Sequence, residues 1–327
     1  TLMKFRPFGR TGLAVSEIAF GGGRSGGLLI YADKEKCLTA VRRALKIGVN
    51  WFDTAPQYGD GKSEETLGWV LEEIKEKPHV STKVRVSFET TETIKSQVER
   101  SVMESLNRLR LNQVDLLQMH NFIMENGEKR AITPDQVLCK GGVADAMEHL
   151  RAQGLVKFIG LTALGNNKAT IKVIESGRFD AAQIYYNLIN PSAAWTEIPL
   201  GWSSYNATGI VNACRREGMA LMAIRIFAAS YLATKKRTGR ESILTTKTFA
   251  ETESANAEKI FKYLGKKNGS RAQTAVRFVL TNQDFSTAIV GLSEIAHLDE
   301  ACEGAGMGIL PKEVLLTLNK LYATNFS

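Results

Sequence analysis

What most restricts the fold of this chain is an unbroken alternation of strand-like and helical segments from residue 17 to the C-terminal region. Short apolar runs at 17–20, 50–53, 79–83, 114–120, 157–161, 181–185, 220–226 and 287–290 read as strands. Between them the apolar period changes to that of helices, at 33–47, 66–75, 91–109, 143–153, 168–176, 204–216, 254–264, 270–282, 294–303 and 312–321. Ile94, Val98, Val102, Leu106 and Leu109, for example, share one helix face, and Asp33 and Gly48 stand where a cap and a stop belong. Strands separated by helices pair in parallel, and eight such units predict an α/β fold, a (β/α)8 TIM barrel with its active site at the C-terminal strand ends. A turn signal, Gly9-Arg10-Thr11-Gly12, predicts a β-hairpin ahead of the barrel. No linker or low-complexity segment interrupts the 327 residues, so 1–327 reads as one barrel domain with extra C-terminal helices.

Two segments depart from the repeat. Gly21, Gly23 and Gly26 satisfy a G-x-G-x-x-G spacing, but Leu28-Leu29-Ile30-Tyr31 intervenes before helix signals appear at Asp33, which argues against a Rossmann turn. A glycine loop at the barrel mouth fits better, with Gly22 and Gly23 bare enough to approach a cofactor. Residues 121–142 form a long connection with little periodicity, of the sort that serves as a substrate wall or lid.

Lys and Arg outnumber Asp and Glu by 42 to 34, a net charge of +8. The cations are dispersed, so neither nucleic acid nor a membrane is indicated as a partner. No run of 18 apolar residues and no leader-like apolar segment is present, and a start at Thr1 reads as a processed or trimmed terminus. Cys37, Cys139, Cys214 and Cys302 lie far apart, without the spacing of a metal site or disulfide framework, and read as reduced thiols of a cytoplasmic protein.

The chemistry gathers at successive strand ends. The segment Asn50-Trp51-Phe52-Asp53-Thr54-Ala55-Pro56-Gln57-Tyr58-Gly59 brings an aspartate and, after a turn, a tyrosine toward one pocket; the next strands end in Lys83 and His120. Each residue alone has an ordinary explanation as a turn, surface or core residue. Together they make a proton-transfer site, because a lysine cation beside a phenol stabilises its phenolate and an aspartate fixes the lysine.

Asp53, Tyr58, Lys83 and His120 resemble, in identity, order and context, the catalytic tetrad of the aldo-keto reductase superfamily. The resemblance implies hydride transfer between C4 of a nicotinamide, NADP or NAD, and the carbonyl or hydroxyl carbon of a small aldehyde, aldose or related sugar. Tyr58 is then the general acid/base, Lys83 the cation acting on it, Asp53 the partner of Lys83 and His120 the carbonyl orienter. Segments such as Phe8-Gly9-Arg10-Thr11-Gly12 and Asn187-Leu188-Ile189-Asn190-Pro191-Ser192 look most like an aldose dehydrogenase-like branch.

The resemblance also points to Gly22, Gly23, Asp53, Thr162, Gln183, Arg225, Phe227, Gly291, Ser293 and His297 as cofactor contacts. Five positions among or beside them depart from the usual pattern. Ala163 replaces the amide that follows the Thr162 hydroxyl, Ile224 replaces an aromatic stacked on the nicotinamide, and Arg225 is unusual where it stands. Gly291 and His297 occupy positions that usually carry the 2′-phosphate cations, which predicts weak preference for NADPH or a reversal to NAD, unless Arg225 or a lysine of 234–248 supplies the charge. A non-catalytic regulatory barrel of the same superfamily is the alternative function. The substrate partner is a small carbonyl compound or sugar, and the sequence specifies no oligomeric state.

Overall fold

A computed structural model describes residues 3–127 and 130–327. Thr1, and two positions of the 121–142 connection, lie outside the described residues. Eight parallel strands, Ile18–Gly21, Trp51–Asp53, His79–Val84, Val114–Met119, Val156–Thr162, Ala181–Tyr185, Ala220–Ile224 and Thr287–Gly291, close into a barrel in sequence order. Closure pairs the last strand with the first, Ile289 opposite Ala19 and Gly291 opposite Gly21. The hairpin precedes it, Phe5–Pro7 pairing antiparallel with Ala14–Ser16.

The hairpin serves as a plug. Phe8 stacks on Trp51 with ring centroids 4.4 Å apart, and with Val15, Ala19, Leu116, Ala181, Ala220 and Met222 it fills the barrel interior. A second, larger core lies between the strands and the surrounding helices. Helix Lys34–Ile47 begins where Asp33 accepts the Lys36 amide at 2.8 Å, and helix Ile94–Leu109 begins at Thr93, which accepts from Ser96. The chemistry-bearing residues therefore stand on a floor packed from below, which limits their freedom to relax.

Several boundaries differ from those read in the sequence. The seventh strand stops at Ile224 because Arg225 adopts a left-handed backbone, φ 57°, which cannot continue a strand. Helix Ile210–Arg216 starts later than residue 204, since Gly209 before it has φ 86°. Leu28–Tyr31 is a short helix rather than an irregular run. The connection after His120 also contains regular structure: Phe122–Ile123 pairs with Ala131–Ile132, and helix Pro134–Leu138 opens on a capping box between Thr133 and Gln136. Ile123 bonds to Leu164 and bridges Gly165, so this connection borders the mouth beside the fifth strand. Among the described residues no helix is long and apolar enough to cross a membrane.

Candidate active site

Asp53 ends the second strand and is 3% exposed; Lys83, in the third, is 1% exposed. Lys83 Nζ donates to Asp53 Oδ2 at 2.6 Å and to the Thr54 carbonyl at 2.9 Å. The other carboxylate oxygen, Oδ1, accepts from Ser81 Oγ at 2.6 Å, Gln183 Nε2 at 2.8 Å and Gln118 Nε2 at 3.1 Å. Trp51 Nε1 in turn donates to Ser81 Oγ at 3.0 Å. An ion pair this deep stands only when its remaining lone pairs are satisfied, and here three neutral donors from three strands satisfy them. Burial alone would pull the Lys83 ammonium down; Asp53, and then the neighbouring Tyr58, hold it above its ordinary value.

Tyr58 lies above this pair. The turn after Asp53 brings it back, its amide bonded to the Ala55 carbonyl, and Lys83 Nζ sits 4.7 Å from its ring centroid. His120 follows the fourth strand and meets Tyr58 edge-on, ring centroids 6.1 Å apart. Burial first, then Lys83 and Arg85, keep the imidazole well below its usual range, so it is neutral near pH 7. Its Nδ1 lies 3.1 Å from Gln57 Oε1. Because an amide oxygen only accepts, Nδ1 carries the proton in that contact; turning the Gln57 amide over moves it to Nε2, the state in which His120 donates to a carbonyl oxygen.

Around this group stand the residues expected at the cofactor. Gly22 donates its amide to the Asp53 carbonyl at 2.8 Å, and a side-chain carbon on Gly23 would stand 3.6 Å from the Tyr58 ring. Gly26 packs so tightly on the eighth strand's end that an added carbon would lie 2.2 Å from the Leu292 amide. Thr162 pairs in register with Gln183, and its hydroxyl is buried with no hydrogen-bond partner among the described residues. Ile224 and Phe227 are half-buried, packed against the core. Gly291 is exposed, a carbon added to it would only touch the Gly26 backbone at 3.7 Å, and Ser293 Oγ lies 3.2 Å from Nδ1 of exposed His297. From the 234–248 stretch it is Arg240, not a lysine, that reaches this end: it bonds to the Gly26 carbonyl at 3.3 Å and covers the Tyr31 ring. Ser81, Gln118, Gln57 and Arg240 were not anticipated, because a polar residue in a strand or loop shows its partner only after folding.

After the seventh strand the backbone is strained. Arg225, Ala228, Ala229 and Ser230 all have positive φ, between 45° and 78°, although none is glycine. Each such residue costs on the order of 1–2 kcal/mol and persists only where its surroundings over-determine it. Asn187 Nδ2 holds the Arg225 carbonyl at 3.0 Å, and the Leu232 amide holds that of Phe227. The Arg225 guanidinium reaches Ser25 Oγ at 3.3 Å and Ser242 at 3.2 Å.

Arg225 lines a small pocket with Tyr185, Ser242, Thr245 and Glu253, and burial pushes the Glu253 carboxyl up from 4.5 to about 7. The unfolded chain ionises this group first. Its contribution to stability is therefore complete below pH 4.5 and is lost as pH rises through about 7. At ~1.4 kcal/mol per pH unit the loss is on the order of 3 kcal/mol, and Glu253→Gln should abolish it. Urea midpoints for both proteins at acid and alkaline pH check this; an equal alkaline decline in the variant contradicts it.

Comparisons with known proteins bear on the family and the fold. A family model described as "Aldo/keto reductase family" matches residues 17–322. L-galactose dehydrogenase of Arabidopsis thaliana is 26% identical over 306 residues, covering 92% of this chain and 87% of that protein. D-threo-aldose 1-dehydrogenase of a Pseudomonas species is 27% identical over 232 residues, 62% of this chain and 66% of that one. Among solved structures, an aldo-keto reductase from Bacillus halodurans in its holo form superposes with a TM-score of 0.75 at 20% identity, covering 98% of this chain and 96% of that one.

Proposed function

The chain belongs to the aldo/keto reductase family, and from that premise we propose that it is an NAD(P)-dependent oxidoreductase of the aldose dehydrogenase-like kind, interconverting a small aldehyde, aldose or lactol with its alcohol or lactone. The observation that carries the reading is the convergence of Asp53, Lys83, Tyr58 and His120 over one buried, fully satisfied ion pair. A phenol set 4.7 Å from a buried ammonium argues against a regulatory barrel that only binds the dinucleotide.

The residues at the mouth fit a nicotinamide dinucleotide. The unpartnered Thr162 hydroxyl is available to the carboxamide, Ile224 offers the ring an apolar contact, and Gly23, beside the Tyr58 ring, leaves room for the cofactor, whereas Gly22 is bare because Ser63 and Asp53 fill its side-chain position. Arg225 and the strained turn at 228–230 would hold the pyrophosphate, and Ser293 with His297 would face the adenosine end. When bound, the cofactor donates or accepts the hydride. Tyr58 gives its hydroxyl proton to the carbonyl oxygen in reduction and takes it back in oxidation. Lys83 stabilises the phenolate left behind, Asp53 keeps the lysine charged and placed, and neutral His120 orients the oxygen. Initial rates over a panel of aldehydes and aldoses, each with NADPH and NADH, test the proposal; tight dinucleotide binding without turnover on any member contradicts it.

Cofactor choice follows from the charges at the eighth strand. Lys36, which reaches the start of helix Ile295–Gly306, is already paired with Glu294 at 2.6 Å, and Arg43 is paired with Asp299 within it. With Gly291 uncharged, the 2′-phosphate gains little there, and discrimination between NADPH and NADH should be weak. Gly291 has no positive φ and a carbon added there meets nothing closer than the Gly26 amide at 3.7 Å, so Gly291→Lys should be tolerated. With His297→Arg it should tilt the Kd ratio toward NADPH by about tenfold. A wild-type NADPH preference above about a hundredfold would contradict this account and point to Arg240 as the missing cation.

A further inference from the structure

The half-buried arginines Arg6, Arg108 and Arg178 are matched by carboxylates, Glu17, Glu64, and Asp145 with Glu148, and Arg225 and Arg240 by uncharged oxygens of Ser25, Ser242 and Gly26. Arg85 is not. Its Nε is buried and has no hydrogen-bond partner, and no carboxylate pairs with it among the described residues. A guanidinium desolvated without compensation is costly, so something has to favour keeping it there.

Its position is tightly defined. Arg85 follows Val84, the last residue of the third strand, two places after Lys83. Both flanking residues are tied to the fourth strand's end: the His120 amide donates to the Val84 carbonyl at 2.8 Å, the Val86 amide donates to Asn121 Oδ1 at 3.0 Å, and Asn121 Nδ2 donates to the Val86 carbonyl at 2.8 Å. Arg85 is thereby held beside His120, close enough to act electrostatically on both His120 and Tyr58, and it feels the charge of Arg130.

We propose that Arg85 is a substrate-recognition residue and that the substrate is anionic, carrying a carboxylate or phosphate within two carbons of the reacting carbonyl. This rests on the reading above, in which Tyr58 and His120 face that carbonyl. The guanidinium offers a planar pair of donors to the anion, and Arg130 adds charge without competing as an acceptor. In reduction the carbonyl carbon gains the hydride, its oxygen gains the Tyr58 proton, the nicotinamide is oxidised by two electrons, and the anionic group passes through unchanged. Pairing the anion with Arg85 also lessens the positive field on His120, whose neutral form the orienting role needs.

The test measures kcat/KM for glyoxylate against acetaldehyde and for glyceraldehyde 3-phosphate against glyceraldehyde, in wild type, Arg85→Gln and Arg85→Lys. Arg85→Gln should lower the value for the anionic member of at least one pair about tenfold more than for its neutral partner, and Arg85→Lys should restore part of the difference. The responding pair tells carboxylate from phosphate. Wild-type kcat/KM for that anion should fall with added salt and the Arg85→Gln value should not. Equal losses on anionic and neutral members would make Arg85 structural and overturn the proposal, as would an unchanged ratio. Absence of Tyr58-dependent turnover on every substrate would instead remove the oxidoreductase reading, and this proposal with it.

Discussion

Tyr58→Phe lowers turnover about a hundredfold or more while dinucleotide affinity and folding stay close to wild type. The substitution removes one oxygen from a half-buried ring and leaves the ring's contacts with Lys83, His120 and Gly23 in place. On the proposed reading, what is lost is the proton that reaches the carbonyl oxygen as hydride arrives. Kinetics with saturating cofactor, alongside fluorescence titration of cofactor binding, separate loss of chemistry from loss of binding. A variant with near wild-type kcat would remove Tyr58 from the reaction.

Lys83→Met has a comparable effect on rate and a second effect on stability. Without the ammonium, the phenolate has lost its counter-charge, and kcat should fall at least about a hundredfold. Asp53 would be left charged and buried, with Ser81, Gln118 and Gln183 as its remaining donors. Breaking one side of such a pair costs on the order of 3–5 kcal/mol. Adding Asp53→Asn should recover much of that stability, since the neutral amide suits the apolar floor, but should recover none of the activity. Denaturant midpoints and kcat for the single and double variants decide this. Restored activity in the double variant would show that the pair serves folding alone.

The barrel was legible because its signal is local and repeated. Period-two and period-3.6 patterns recur eight times, and the apolar face of a helix such as Ile94–Leu109 is unmistakable in its spacing. Asp53, Tyr58, Lys83 and His120 were legible for a related reason: strand ends are readable, and a barrel brings them to one side. Where the reading failed, the cause lay between segments or in backbone that side chains do not announce. Ala228 and Ala229 give no hint of a left-handed turn, and Arg225 ends its strand only because that turn begins there. The capping box of Thr133 and Gln136 was readable and escaped notice within a long polar stretch. Arg240 reaches Gly26 across more than two hundred residues of sequence, and the missing partner of Arg85 is a fact about its neighbours in space. Neither has a local signature.

The central claim is that this barrel moves a hydride, with Tyr58 moving the matching proton. It is tested most directly by supplying nicotinamide deuterated at C4 in its reduced form, together with a carbonyl substrate, and following the label by mass spectrometry and NMR. Wild-type protein should place one deuterium on the carbinol carbon of the product, and Tyr58→Phe should do so at least about a hundredfold more slowly at equal cofactor occupancy. Bound, undepleted cofactor and unlabelled substrate after prolonged incubation, across the aldehyde and aldose panel, would contradict it and leave a barrel that binds the dinucleotide without using it.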